Sequence, residues 1–468
     1  MLTDARGCPT STTSSASLQQ YEQALDLSVS YVLDPLATIQ KALEADPSFA
    51  LGHCLRAGLA VMATDRGAVP MLAESVAAIE SLGRRAHDRE RAHAAAARAW
   101  LEGDFAGSIQ RYGEILLDHP HDLLALQVAH VGDFFLGASS MLRDRVAQVL
   151  PTWDTSTPGY GYVLGMYAFG LEETALYSRA EDIGRRALDL NRRDAWAVHA
   201  VTHVMEMQGR LRDGIDWLAS RETDWSVNNG FAFHNWWHLA LFHLEAGNVT
   251  RVLELYDQRI RPTPSEAPLE MVDATALLWR LELRSANVGD RWQKLAASWE
   301  PLAEHSYYAF NDAHAVIAFA AAGRTDLVQR TIAALERKTA WTDTNAMMTR
   351  DVGLPLARGI AAFAAGRYAD AIALLQPIRT IANRFGGSHA QRDLIHLSLV
   401  EAALRARQPR LARALVAERT QLKPSSPFNW QLTARSMDLS GDSAGAAKAL
   451  ESAEARTKAQ FGVARAYA

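Results

Sequence analysis

One short pattern recurs along this chain and constrains its fold more than any other feature. In the segment 100–112 (WLEGDFAGSIQRY), Gly103 makes a tight turn and Phe105 follows two residues later. Ser108 comes three further on, Tyr112 four after that, and Pro120 closes the unit. A glycine that stops one helix, followed at once by an apolar-periodic helix with a small residue at its contact face, encodes two antiparallel helices in close contact. Related turns stand at Gly209, Gly247, Gly323, Gly366 and Gly441, with weaker ones near Gly137, Tyr177, Val288 and Gln408. The chain is rich in Ala, Leu, Arg and Glu and poor in alternating β-branched runs, so helix is expected almost throughout.

The turn, the small residue and the closing proline form the second half of a tetratricopeptide repeat, whose period is roughly 34 residues. The intervals here bracket it, from about 32 to 43 residues. The expected fold is therefore all-α: a tetratricopeptide-like solenoid, a superhelix of some ten or eleven degenerate helix pairs with a concave inner surface. The Pro-rich stretch 261–268 (RPTPSEAP) is too short to divide it, so residues 17–468 are read as one continuous array after a polar arm, 1–16.

Charge narrows the partners. With 48 basic and 53 acidic residues, a net charge of −5 and no dense basic block, nucleic acid is not an expected partner. Cys8 and Cys54 are too few for a disulfide framework. The N-terminus has no apolar segment of signal type, and no apolar run is long enough to span a membrane. A cytoplasmic location is expected. Phosphate-binding and dinucleotide glycine loops, HExxH and GxSxG are all missing from the sequence.

Several longer stretches resemble the tetratricopeptide repeat protein 38 family and its bacterial relatives. They are DHPHDLLAL (118–126), DAWAVHAVTHVMEMQGR (194–210), FHNWWHLALFHLE (233–245) and LEMVDATALLWRLEL (269–283). VGDRW (288–292), FNDAHA (310–315), RDVGLPL (350–356), GGSHAQRD (386–393) and LKPSSP (422–427) continue the likeness. The resemblance implies an intracellular repeat protein without a settled activity. Some bacterial relatives lie in antibiotic biosynthesis clusters, which implies small-molecule chemistry. Members often carry Asn at the position of His389, which argues against an essential imidazole there.

The turn glycines give a register for the first helix of each pair. His93 lies ten before Gly103; His199 and His203 lie ten and six before Gly209. His234 and His238 lie thirteen and nine before Gly247, and His314 lies nine before Gly323. At about 100° per residue these offsets share one arc, the groove face of a solenoid. His130 and Asp312 fit the arc less well. His199/His203 and His234/His238 place imidazoles one turn apart on successive first helices, a spacing suited to a divalent transition metal, with Glu206 in phase. His314 completes the candidate ligand set. Glu270, Asp273 and Asp312 are candidates for further ligands or for orienting the imidazoles. His93, His130, Tyr167, Trp237, Arg350, His389 and Arg392 are expected to line the groove, the two arginines as anion contacts or as partners of Asp351 and Asp393.

Two functions stay open. One is a binding protein that holds a protein partner or small ligand in a His- and carboxylate-lined groove. The other is a metal-dependent enzyme acting on a small molecule inside the solenoid. The sequence names neither the metal nor the ligand.

Overall fold

The computed structural model describes residues 2–462. These residues are all-α. Among them the extended pairings are two isolated bridges, Thr3–Pro9 and Val32–Asn229.

Helix pairs close on a common turn. Gly103, Gly137, Ala175, Gly209, Gly247, Ser285, Gly323, Gly366, Arg407 and Gly441 all have positive φ. At the first, the Gly103 N–H donates to the Trp100 carbonyl at 3.0 Å and the Asp104 N–H reaches back to Ala99 at 2.9 Å. At Arg407 the same pair of bonds runs to Leu404 at 3.1 Å and, from Gln408, to Ala403 at 3.0 Å. Each turn thus satisfies carbonyls that a helix end leaves open. The three weak repeats at Ala175, Ser285 and Arg407 keep this geometry without glycine, at φ of 60°, 59° and 53°. A Cβ in the left-handed region costs roughly 1–2 kcal/mol. Ala175→Gly, Ser285→Gly and Arg407→Gly are therefore expected to stabilise the protein by about 0.5–1 kcal/mol each, net of the freedom glycine adds to the unfolded chain. Urea unfolding of the single variants checks this; unchanged or lowered midpoints would show that the turns are not strained.

The described chain forms two compact units. Unit 1 comprises Met1–Val201, Thr223–Ala232 and Trp341–Met347; unit 2 comprises Thr202–Glu222, Phe233–Ala340 and Met348–Ala468. The boundary falls inside the helix Ala195–Met207.

In unit 1 the helices Ala50–Met62, Asp88–Leu101 and Leu123–Phe135 pack together. The polar stretch before the first helix, Ser15–Ser30, folds back onto them: the Leu2 N–H donates to Thr12, and buried Asp4 meets the Arg89 guanidinium at 2.8 Å. The segment Trp341–Met347 docks on the Gly103 turn, where the Thr344 N–H donates to the Gly103 carbonyl at 3.2 Å. The Asp343 side chain would lie 3.1 Å from a Cβ at position 103, so a larger residue there would press on the docked segment as well as strain the turn.

In unit 2 first helices stack on first helices. Pro268–Leu283 packs on Ala309–Ala321, which packs on Leu354–Ala364, while His389–Arg405 lies against Pro268–Leu283. Trp279 and Trp299 are fully buried in this stack, and each indole N–H has a partner: Ser398 Oγ at 2.8 Å and Thr275 Oγ1 at 3.0 Å. The last helix, Ser443–Phe461, meets Leu211–Ser220, where Gln460 accepts the Leu211 N–H at 2.6 Å. Ser425 donates to the Gln208 carbonyl at 3.1 Å. These contacts bring the start of His389–Arg405 and the residues after Pro409–Leu422 to the end of Ala195–Met207, and so create the site described next. No helix among the described residues is long and apolar enough to cross a membrane.

Candidate histidine–carboxylate site

Three first helices of unit 2 carry the site. His203 and Glu206 share one face of Ala195–Met207, three residues apart. His234, Trp237 and His238 occupy one face of Ala232–Glu245, and Asp273 and Arg280 lie on Pro268–Leu283. His203, His234, His238 and Asp273 are buried.

The side chains form a chain of hydrogen bonds. Glu206 Oε2 faces His238 Nδ1 at 2.8 Å, His238 Nε2 faces His234 Nε2 at 3.3 Å, and His234 Nδ1 faces Asp273 Oδ2 at 2.6 Å. Burial holds the pKa of His238 well below its ordinary value, and the neighbouring His203, His234, Arg280 and Lys423 add to this. His238 is thus neutral. The contact between the two Nε2 atoms brings two like nitrogens together, and either a proton or a cation between them satisfies it.

The geometry suits a cation. Two nitrogens at about 2.05 Å from a tetrahedral metal stand roughly 3.3 Å apart, and that is the separation found. Each imidazole has its Nδ1 held by a carboxylate and its Nε2 turned to the other, the orientation that carboxylates impose on metal-ligating histidines. A ring nitrogen of His203 joins them: one ligand atom from each of His203, His234 and His238 lies within 4.8 Å of the others. The His203 ring is 4.5 Å from that of His238 and 5.8 Å from that of His389. Trp237 stacks on His234 at 5.3 Å and walls the centre, with the Arg280 guanidinium 5.4 Å from its ring.

Beside this centre lies a cavity of about 430 Å³. Glu206 and His389 belong to its wall, so it adjoins the histidine chain. Arg392 was expected in the site and does line this cavity, donating to the Gly387 carbonyl. Its neighbour Asp393 pairs with Arg419, and Asp351 pairs with Arg384 at 2.8 Å. Arg419, Lys423 and Arg280 escaped the sequence reading. A signal existed: Arg280 interrupts the apolar run ALLW, and Lys423 lies in the stretch LKPSSP.

The other expected residues have the following neighbours. His199, one turn before His203, sits in unit 1 with its ring against Phe169, Trp196 and Phe231 at 4.9–5.1 Å. His130 packs edge-on to Trp196 and Phe169, and burial lowers its pKa to about 3. His93 meets Asp122 at 2.9 Å, and Tyr167 accepts from Arg179 at 3.0 Å. In unit 2, His314 bonds through Nδ1 to the Phe310 carbonyl at 2.8 Å and is not among the clustered ligand atoms. Arg350 donates to the Thr339 carbonyl at 2.8 Å. Glu270 stands in the first turn of Pro268–Leu283.

Asp312 is buried, and burial pushes its carboxyl up to about 8 against the opposing pull of Lys338. Its folded-state pKa exceeds the unfolded value. Its contribution is therefore complete below about pH 4 and is lost as pH rises through about 8. Asp312→Asn is expected to gain roughly 2–4 kcal/mol on the parent between pH 5 and pH 9. Denaturant unfolding at both pH values measures the difference; a constant gap would place the ionised carboxylate in a solvated or paired setting.

No protein-family model matches the chain. Among solved structures it is similar to the human IFIT1 dimer with PPP-AAAA, at 12% identity over 93% of each chain and a TM-score of 0.41. It is also similar to yeast Tom70, at 12% identity over 96% of this chain and 94% of that one, with a TM-score of 0.35. A third likeness is to the APC/C hetero-tetramer Cut9–Hcn1, at 13% identity over 94% and 96% and a TM-score of 0.33.

Proposed function

We propose that this chain is a divergent member of the tetratricopeptide repeat protein 38 family and that unit 2 is a small-molecule binding centre built around a divalent transition metal. His203, His234 and His238 supply the ligands, and the adjoining cavity takes the molecule. The observation that carries this reading is the 3.3 Å separation of the two Nε2 atoms, each on an imidazole whose Nδ1 is fixed by a carboxylate. An ion so held polarises a carbonyl or lowers the pKa of bound water wherever its coordination leaves a position for the molecule. The cavity volume falls within the range of small-molecule sites.

A second reading has its own support. One additional proton satisfies all three contacts of the Glu206–His238–His234–Asp273 chain, so the centre is chemically complete as a metal-free binding site. Elemental analysis of protein purified without chelator, and again after incubation with zinc, iron or manganese, separates the two. Near-stoichiometric metal supports the first; none under any condition leaves the proton-bearing site.

A further inference from the structure

The cavity of unit 2 has acidic side chains on its wall, and each is already engaged. Asp393 accepts from Arg419 Nη2 at 3.1 Å. Glu418 pairs with Arg379 and stands 3.4 Å from His396 Nε2. Glu206 faces His238 Nδ1 at 2.8 Å. Against these three carboxylates the wall carries four cations, Arg379, Arg392, Arg419 and Lys423. The Lys423 ammonium stands 3.8 Å from Glu206 Oε1, at the outer limit of an ion pair. Positive charge is therefore in surplus before any metal is added.

The local field reports the same surplus. Burial disfavours an ionised Asp393, yet Arg419, Arg280 and Lys423 overcome it and hold the carboxyl well below the ordinary range. Arg280, buried behind the wall, donates to the carbonyl of Ala390, itself a lining residue, at 2.6 Å. The first turn of His389–Arg405, where backbone N–H groups carry partial positive charge, also faces this space. Met207, Ile395 and Leu422 supply apolar wall.

We infer that the cavity binds a small molecule through an anionic carboxylate or phosphate group, held by Lys423 and Arg392, with the remainder of the molecule directed toward His389. The inference rests on the reading that this cavity is the working site. Its volume of about 430 Å³ falls in the range of small-molecule sites. The lysine contributes charge that is not committed elsewhere at close range, and the arginine a planar fork that matches either oxyanion.

The test is isothermal titration of the full chain with succinate, inorganic phosphate and the uncharged succinamide. Each titration is run on protein as purified and after chelator treatment, with metal content measured on the same samples. Succinate or phosphate is expected to bind and succinamide not, the better of the two anions naming the group. Lys423→Gln and Arg392→Gln are each expected to weaken binding at least tenfold, at unchanged metal content; either suffices should the other unfold. Anion binding that survives metal removal and is lost in these variants upholds the inference even where the metal reading fails. Binding lost with the metal but untouched by both variants means the ion alone holds the anion, which overturns the inference and leaves the metal reading standing. Succinamide binding as well as succinate, or neither anion binding, also overturns it.

Discussion

The double variant His234→Ala/His238→Ala is expected to lose the metal, with zinc affinity at least 100-fold below that of the parent and helical content retained. The two imidazoles face one another at 3.3 Å, and their removal takes away both of the nitrogens that carboxylates orient toward the ion. Asp273→Asn should have a graded effect of about 10- to 100-fold, because Asp273 orients His234 through the 2.6 Å bond without touching the ion. The contact between the two Nε2 atoms gives a second, independent readout, because an ion seated there takes the place of a proton between the two nitrogens. Binding should therefore release one proton, and the affinity should rise about tenfold for each unit of pH while that proton is held. Competition with a chromophoric chelator at pH 6.5, 7.0 and 7.5 measures the slope. A double variant that binds zinc as tightly as the parent would remove these imidazoles from the centre. A pH-independent affinity would show that no proton is displaced.

The sequence pattern made the helix pairs legible because their turns are chemically specific. Even the turns at Ala175, Ser285 and Arg407, which lost the glycine, kept enough apolar periodicity to be placed within a few residues. Spacing also placed His234 and His238 together, since residues four apart on one helix share a face whatever the tertiary context. Partners drawn from distant helices were not legible. Arg419, from the following helix, pairs with Asp393, and no local spacing announces that contact. Repeat register predicts which side of a helix a residue occupies. It does not predict whether that side meets solvent, a neighbour or a cavity, and for this reason His93 and His314 share the arc of His203 yet bond to Asp122 and to a backbone carbonyl. The cavity wall depends on the late pairs returning against Leu211–Ser220, a long-range contact that no local pattern encodes.

Unit 1 offers the other large effect: Arg89→Met is expected to destabilise it by about 3–5 kcal/mol. Arg89 is fully buried. Burial opposes its charge, but Asp122, Tyr21 and Asp4 more than offset that penalty and hold its pKa above the ordinary value. Asp4 lies 2.8 Å from its guanidinium and Asp122 3.7 Å away, while Asp122 also faces His93 at 2.9 Å and caps the helix Leu123–Phe135 through the Ala125 N–H. Methionine preserves most of the apolar stem, so the loss isolates the charge: two buried carboxylates would be left without their common cation. Asp4 Oδ1 in turn accepts the N–H groups of Arg6 and Cys8 at 3.0 and 2.9 Å. Freeing Asp4 should therefore release the whole N-terminal segment. Cys8 reports this directly, because burial and the charge of Asp4 push its thiol up to about 12 and keep it unreactive in the parent. In a unit of about 200 residues, 3–5 kcal/mol corresponds to a fall in Tm of roughly 6–20 °C. Thermal unfolding with hydrogen exchange over residues 2–201 locates the loss, and alkylation of Cys8 at pH 8 follows the segment. Should the variant melt within 2 °C of the parent and Cys8 stay protected, Arg89 would be a replaceable core residue rather than the ion that seats the N-terminus.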